Sequence, residues 1–581
     1  MWFLQKPDRL QRERNAIEKL TKETDWLQNT KWSFEEAKLC LFADISAREH
    51  LYRAKMIYPA SFPASPPTVL PREPNRHWSE HQYGFDGELC LEWGPDNWHE
   101  DITGAEILCS AHKLLYCENP LGEQATQIPV PSRHALNFGQ EIRHTVLRFL
   151  YEESVVTFIE KLVEKVNGTA KFILMPSRAA FTAFIQGLKL SPEEQWQNQM
   201  LPSELEKTAL QIDAHFFKTS ANESDLKFLT FEKLTTVLGK CGHEFNKPQD
   251  QKYFYMLLTD SNNSLHLFLC SDDGKCNNFT SIRIAKEQAN GRVSPEFIKL
   301  VSKKVGIVGL GSAGSKIAIS LARSGVRNFI LIDHDIFMPE NICRHELNWE
   351  DVGQHKVDGV THQLKLISKN IEVTTRKLKL SGQEATAGVD SALSQLGECD
   401  LIIDATADPS TFNQLSSVAN HYKVDFIWLE IFSGGIGGLL SRFRPNYDPD
   451  PKIMRAYLNG YLEKQDNSDI QNQANYSGVD RRGEIMVASD ADVAVIAAHA
   501  TRMALDILVK REPSIFPYSM YLIGLSRKWI FKEPFYTIPI DLSNVKVAEK
   551  QHGLSKEEIA DNLTFIGQLL QEQKNENIPA P

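Results

Sequence analysis

The sequence predicts a multidomain α/β protein, and three observations carry that reading. The chain has 581 residues, more than one hydrophobic core organises. From residue 303 the stretch KKVGIVGLGSAGSKIAISLARSGVRNFILIDHD runs strand, glycine turn, helix, strand. ECDLIIDATAD and VDFIWLEIF then continue as buried strands with helices between, which predicts a doubly wound parallel sheet. The first 120 residues follow another order, with a helix, short strands, a proline-dense stretch and a second helix.

Taken in order, residues 8–27 read as an amphipathic helix with Leu10, Ile17, Leu20 and Trp26 on one face. AKLCLFADIS and EHLYRAKMIY read as strands. Residues 58–74, YPASFPASPPTVLPREP, are too rich in proline for a helix or a central strand and predict an extended surface loop. DITGAEILCSAHKLLYCENP predicts a helix from near Thr103 to just before Asn119-Pro120. Residues 141–167 predict a further helix, and AKFILMP, KYFYMLLTD, SLHLFLCSD and FTSIRIA read as strands. Residues 168–295 show no catalytic constellation. The last thirty residues hold one helix and a polar end.

Hydrophobic content of 42% and charged content of 24% are those of a globular protein. A net charge of −11 argues against a general nucleic-acid-binding role. No run of about 18 apolar residues occurs, so no membrane span is expected. Nine cysteines, without C-x-x-C pairs and without a secretory leader, predict a reducing, cytoplasmic setting. No short repeat or low-complexity tract is present.

Gly309, Gly311 and Gly314 form G-x-G-x-x-G between a strand and a helix. The first glycine permits the turn, the second lets a phosphate approach the backbone, and the third lets helix and strand pack. Asp333 lies 19 residues beyond Gly314, at the end of the next strand, where it suits a ribose hydroxyl. By itself this fingerprint says nucleotide, with NAD the default. Asn341, Arg344 and Lys356 follow, and two cations beside one phosphate site suit a triphosphate better than a hydride transfer.

This pattern resembles the ThiF/MoeB/ubiquitin-activating family of adenylating enzymes: G-x-G-x-x-G, a ribose Asp, N-x-x-R, G-x-x-K, and DATADPSTFNQ for the family's D-x-T-D. The motifs cover residues 296–445 and the likeness extends to about 545. The resemblance implies ATP and Mg²⁺ as cofactors. Gly309, Gly311 and Gly314 would cradle the phosphates and Asp333 the ribose. Asn341, Arg344 and Lys356 would contact the phosphates, with Arg344 and Lys356 catalytic. Asp404 or Asp408 would hold Mg²⁺, Asp408 being favoured, although the segment is one residue longer than the family's. SGGIGGLL at 433–440 reads either as part of a channel for a flexible substrate tail or as a packing turn.

An activated acyl group needs an acceptor. YPASFPASPP, GELC and the following tryptophan resemble the ubiquitin-conjugating fold, with Tyr58, Pro59, Pro66, Pro67, Gly87, Cys90 and Trp98 as matching positions. Cys90 is then the implied thioester cysteine, while Cys40, Cys109 and Cys117 read as buried apolar thiols and Cys343 as incidental. The family's H-P-N is absent, with His77, His81 or Gln82 in its region.

The two modules in this order resemble the bacterial fusion enzymes of CBASS antiphage operons, the CD-NTase-associated proteins. That likeness implies domains at 1–150 (ubiquitin-conjugating-like), 151–295 (linker and inactive adenylation-like), 296–550 (active adenylation) and 551–581 (helix and tail). It implies a homodimer through the adenylation domains, and ligation of the C-terminus of a cGAS/DncV-like nucleotidyltransferase to target amines, with no nucleic acid and no membrane as partner. The alternatives are a sulfur-carrier adenylyltransferase and an NAD-binding oxidoreductase. No cysteine follows Cys399. Either Ala488 or Ser489 stands where an activating-domain cysteine was replaced, or the adenylate transfers directly to Cys90.

Overall fold

A computed structural model of the chain describes residues 1–73, 78–79, 81–83, 87–94, 97–122, 142, 145–177, 180–226, 230–248, 251–284, 294–465, 477–479, 485–545 and 555–576. It divides into two units, Met1–His144 and Thr145–Pro581.

In the first unit, α1 (Trp2–Gln5) and α2 (Pro7–Glu23) precede β1 (Leu27–Glu35), β2 (Lys38–Ala47), β3 (His50–Tyr58) and β4 (Thr68–Pro71). The four strands form an antiparallel meander in sequence order. Proline opens α2, as its missing N–H allows. The helix ends at Glu23, not at residue 27, because Thr24 turns extended. Trp26 therefore leaves the helical face, and its ring stacks on His112 at 4.2 Å. Within the proline-dense stretch Thr68–Pro71 pairs as an edge strand, a position in a sheet where proline's lost donor is tolerated.

β5 (Gln82–Tyr83) and β6 (Glu88–Leu89) make a small hairpin before α3 (Gly104–Glu118). α3 starts and ends where the spacing predicted; Thr103 and Glu106 form a capping box at its start, and Asn119 follows it in the left-handed conformation. Buried Glu13 ties α2 to α3, accepting from Tyr58 Oη at 2.8 Å and from the Gly104 N–H at 2.7 Å.

The second unit opens with β7 (Leu147–Glu152) and α4 (Glu153–Glu160), which replace the single helix expected over 141–167. LRFLYE alternates with aromatic residues, and β7 pairs in parallel with two distant strands, partners that local periodicity does not reveal. The four expected strands appear within β8 (Asn167–Pro176), β12 (Tyr253–Thr259), β13 (Leu265–Ser271) and β15 (Thr280–Ile284). β9 (Phe181–Lys189), β11 (Leu210–Phe217) and β14 (Cys276–Asn278) complete the sheet path β14-β13-β12-β11-β8-β9-β7-β15, with β10 (Gln195–Gln197) paired to β9.

β22 (Ser477–Val479) and β23 (Ile485–Val487) form a two-stranded ribbon, and the larger remaining sheet has the order β18-β17-β16-β19-β20-β21-β24-β25. β16 (Lys304–Val308), β17 (Asn328–Ile332), β18 (Glu372–Arg376), β19 (Leu401–Asp404) and β20 (Asp425–Ile431) are parallel. β21 (Gly437–Phe443), β24 (Met520–Gly524) and β25 (Thr537–Ile540) extend it antiparallel, beyond the purely parallel sheet expected. Chain order reverses between β16 and β19, which opens a crevice at their C-terminal ends. One face packs α5 (Ser312–Ser324) and α6 (Asp490–Leu508) through Ile317, Leu321, Val493 and Ile496. The other packs α7 (Pro409–Tyr422) and α8 (Pro451–Glu463) through Phe412, Leu415, Met454 and Leu458. Among the described residues no helix is long and apolar enough to cross a membrane.

Candidate active site

The crevice is built from the glycine turn that follows β16. Gly309 has φ +84°, and a Cβ there would meet Thr406 Cγ2 at 2.8 Å and the Ala405 carbonyl carbon at 3.0 Å. A Cβ on Gly314 would collide with the Gly309 carbonyl oxygen. Gly311 differs, since nothing lies within 4 Å of its Cβ position. Two glycines thus serve packing, and the third leaves open space before α5. Ser312, the first residue of α5, is buried, and its Oγ has no hydrogen-bond partner among the described residues. An unsatisfied hydroxyl at a helix N-terminus fits a phosphate oxygen.

Asp333 follows β17. Its carboxylate accepts the Leu310 N–H at 2.6 Å and the Asp335 N–H at 2.7 Å, buckling the glycine turn to the neighbouring strand end. Lys356 is buried, with Nζ 2.8 Å from Asp335 Oδ2. Burial alone would raise the Asp335 carboxyl, but its bond to Lys356 and that ammonium's charge hold it below the usual range. Asn341 uses its side-chain oxygen to accept the Met338 N–H at 3.0 Å, and its carbonyl accepts the Arg344 N–H at 3.1 Å. Asn341 therefore shapes the turn that presents half-buried Arg344.

Two further residues support this loop. His345, buried beside Arg344, bridges to the glycine turn through Leu310 at 2.7 Å. Lys316, on α5, joins Glu346 at 3.2 Å and Asp490 at 2.8 Å. The sequence signal for His345 was its place between the motif arginine and the buried Leu347. Lys316 carried none, because its partners come from distant segments.

At the end of β19, Asp404 accepts the Thr406 N–H at 3.0 Å and the Thr406 hydroxyl at 2.6 Å, and burial pushes its carboxyl up to about 6. Asp408 caps α7. Burial alone would raise it too, but bonds from Thr411 and Ser381 hold its carboxyl below the usual range. Asp408, the more accessible and more acidic of the two, suits a hard cation better than buried Asp404. The metal-compatible grouping among the described residues is Asp333, His334 and Asp335, with ligand atoms within 4.8 Å of one another. At 433–440 the glycines pack: a Cβ on Gly438 would meet the Glu430 carbonyl oxygen at 2.8 Å, and Gly437 would meet that of Ile523.

In the first unit Cys90 directly follows β6, is 6% exposed, and donates its backbone N–H to the His81 carbonyl at 2.8 Å. Burial, with the Glu88 charge adding, pushes its thiol up to about 11. Gln82 clamps the hairpin: Oε1 accepts the Trp78 and Ser79 N–H groups, and Nε2 donates to the Gly87 carbonyl. The Gln82 amide is thereby committed to the loop, and His77 lies outside the described residues. Trp98 Nε1 donates to the Pro63 carbonyl at 2.6 Å, tying the segment after Cys90 to the proline-dense stretch. Cys109, expected to be buried, is exposed on α3, since its position falls on the outer face of that helix. Ala488 is 2% exposed in the core, whereas Ser489 is exposed and caps α6.

The model of the ThiF family matches residues 287–523. That match covers less than half of the chain, and the region resembles a ThiF domain. Its sheet, with the glycine turn at the strand reversal, is the Rossmann-type fold of ThiF/MoeB-like adenylating enzymes. Part of the chain is similar to Cap2 proteins. It is 29% identical over 160 residues, 27% of each chain, to the ATP-dependent ubiquitin transferase-like protein Cap2 of Pseudomonas aeruginosa. To the protein of the same name from Escherichia coli it is 26% identical, over 39% of this chain and 38% of that one. The molybdopterin-synthase adenylyltransferase of Haemophilus influenzae is 32% identical over 22% of this chain and 51% of its own length. The matches thus span about a quarter to a half of these relatives.

Proposed function

We propose that the chain uses ATP to activate the C-terminal carboxylate of a partner protein, passes the acyl group to Cys90, and ligates it to a target amine. The observation that carries this is the gathering of the open Gly311 turn, the unsatisfied Ser312 hydroxyl, Asp333 and the Arg344–Lys356 segment about one sheet crevice.

A carboxylate is a poor acyl donor, because oxide would have to leave. Attack of its oxygen on the α-phosphorus expels pyrophosphate and leaves an acyl-adenylate. The Cys90 thiolate then attacks the carbonyl carbon and AMP departs. An amine displaces the thiolate, giving an amide and restoring the thiol. Gly309–Gly314 and the α5 N-terminus orient the phosphates, Asp333 takes the ribose, and Arg344, Lys356 and Asn341 offset charge on the pentavalent phosphorus. Asp408 would hold Mg²⁺, which when bound would neutralise further phosphate charge.

The Cys90 step rests on the GELC setting and the buried hairpin clamped by Gln82, in a first unit read as a ubiquitin-conjugating-like domain over about 1–150. Residues 151–295 are read as the inactive adenylation-like partner of the domain at 296–550, and pairing of such domains as the basis of a homodimer. Likeness to the Cap2 proteins supports a CBASS setting, for which a cGAS/DncV-like nucleotidyltransferase is the proposed activated partner.

The test is incubation of the chain with ATP, Mg²⁺ and that partner, resolved on gels with and without thiol. A thiol-sensitive adduct lost in Cys90→Ala is expected. Intact conjugation by Cys90→Ala overturns the thioester route. Likeness to molybdopterin-synthase adenylyltransferase favours a second reading, a sulfur-carrier adenylyltransferase, which predicts pyrophosphate exchange with a carrier protein and no dependence on Cys90.

A further inference from the structure

We propose that Cys270 and Cys276 are a redox modification site that closes reversibly into a disulfide. The two stand directly opposite each other on the antiparallel strands β13 and β14, with sulfurs 2.9 Å apart. Neither belongs to the crevice or to the Cys90 segment.

The site lies at a seam. β14 and β15 stand at opposite ends of the sheet path, yet only Phe279 separates them in the chain. The sheet therefore closes on itself through residues 276–284, which pair with β13 in their first part and with β7 in their second. β14 pairs through three residues, and the Phe279 N–H adds a bond to the Leu267 carbonyl at 2.9 Å. A bond between Cys270 and Cys276 would fasten this short contact covalently.

Accessibility orders the two steps. Cys276 is half-buried and Cys270 fully buried. Cys276 is the more accessible sulfur, and its hydrogen bond with Cys270 lowers its thiol, so Cys276 is the attacking sulfur. With a low-molecular-weight disulfide as oxidant, the Cys276 thiolate displaces one small thiolate and forms a mixed disulfide. Cys270 then loses its proton to solvent and attacks the Cys276 sulfur, expelling the second small thiolate. Two protein thiols are oxidised and one small disulfide is reduced to two thiols.

The experiment treats the full chain with oxidised glutathione, blocks remaining thiols, and maps peptides by mass spectrometry after trypsin without reduction. Trypsin cuts after Lys275, so the bond would join peptides 253–275 and 276–283. The expected result is that linked pair, separating on reduction. In Cys276→Ser, Cys270 should stay a free thiol while exposed Cys109 and Cys343 take up glutathione. Unlinked peptides in the wild-type chain alongside modified Cys109 and Cys343 overturn the proposal. So does equal glutathione uptake by Cys270 in the variant, because it removes Cys276 as the point of entry.

Discussion

His345 Nε2 donates a hydrogen bond to the carbonyl oxygen of Leu310 at 2.7 Å, fastening the arginine loop to the glycine turn. The tautomer follows from the other ring nitrogen: Nδ1 accepts the Leu347 N–H at 3.1 Å, so the single proton of the neutral ring sits on Nε2. Charging the ring would force a proton onto Nδ1 against that N–H.

This relationship sets a pH dependence. Burial first, then the Lys356 and Lys316 charges, lower the His345 pKa from 6.5 to about 4, against the opposing Leu310 bond. Between those values the unfolded chain binds the proton and the folded one does not. The stability contributed is therefore fully present above about pH 6.5, falls as pH drops toward 4, and amounts to roughly 3 kcal/mol. Urea unfolding of the wild type across this range should show the decline. His345→Gln, which keeps a donor but does not titrate, should flatten it; an unchanged slope would assign the effect to other groups.

The motif glycines should separate by role. Gly314→Ala forces a Cβ onto the Gly309 carbonyl and should cost about 1–3 kcal/mol in denaturant midpoints. Gly311→Ala meets nothing in the fold and should leave stability within about 0.5 kcal/mol. It should nevertheless weaken ATP binding by about tenfold or more, roughly 1.4 kcal/mol, if phosphate approaches that backbone. Calorimetric ATP titration of Gly311→Ala decides the point, and wild-type affinity would place the nucleotide elsewhere.

What the sequence made legible follows from chemistry that tolerates few residue types. Gly309 needs positive φ, Gly314 needs no Cβ, and Asp333 needs a carboxylate at a strand end, so each shows in local pattern. β7 was hidden because its partners β9 and β15 come from distant segments while LRFLYEESVV carries helical periodicity. Lys316 was hidden for the same reason, and the bonds that His345 and Gln82 make were not legible at their positions. A histidine, a lysine or a glutamine suits many surfaces, and only the fold brings Leu310, Asp490 or the Trp78 N–H against them.

Cys90 offers a kinetic prediction. With its thiol raised to about 11, first by burial and then by Glu88, the thiolate fraction near neutrality is small and should rise about tenfold per pH unit below the pKa. Alkylation of Cys90 by iodoacetamide, followed by mass spectrometry, should climb from pH 7 to 10. Glu88→Gln removes the neighbouring negative charge and should shift the profile to lower pH. A profile unmoved by this substitution would leave burial as the whole cause.

Ala488 and Ser489 differ in what a cysteine placed there could do. Ala488 is sealed in the core, so the thiol of Ala488→Cys would be shielded from solvent and kept protonated by burial. Ser489 is exposed, and its Oγ accepts the Asp492 N–H at the start of α6. A thiolate at that position would gain from the helix dipole, although the Asp492 carboxylate, 2.7 Å from Oγ, opposes part of the gain. Ser489→Cys should therefore react with maleimide far faster than Ala488→Cys under native conditions. Of the two, Ser489→Cys should also be the one to form a second thiol-sensitive adduct with ATP and the partner protein. An adduct on Ala488→Cys instead would require the segment before α6 to open during turnover, and hydrogen exchange across residues 485–493 would register that opening.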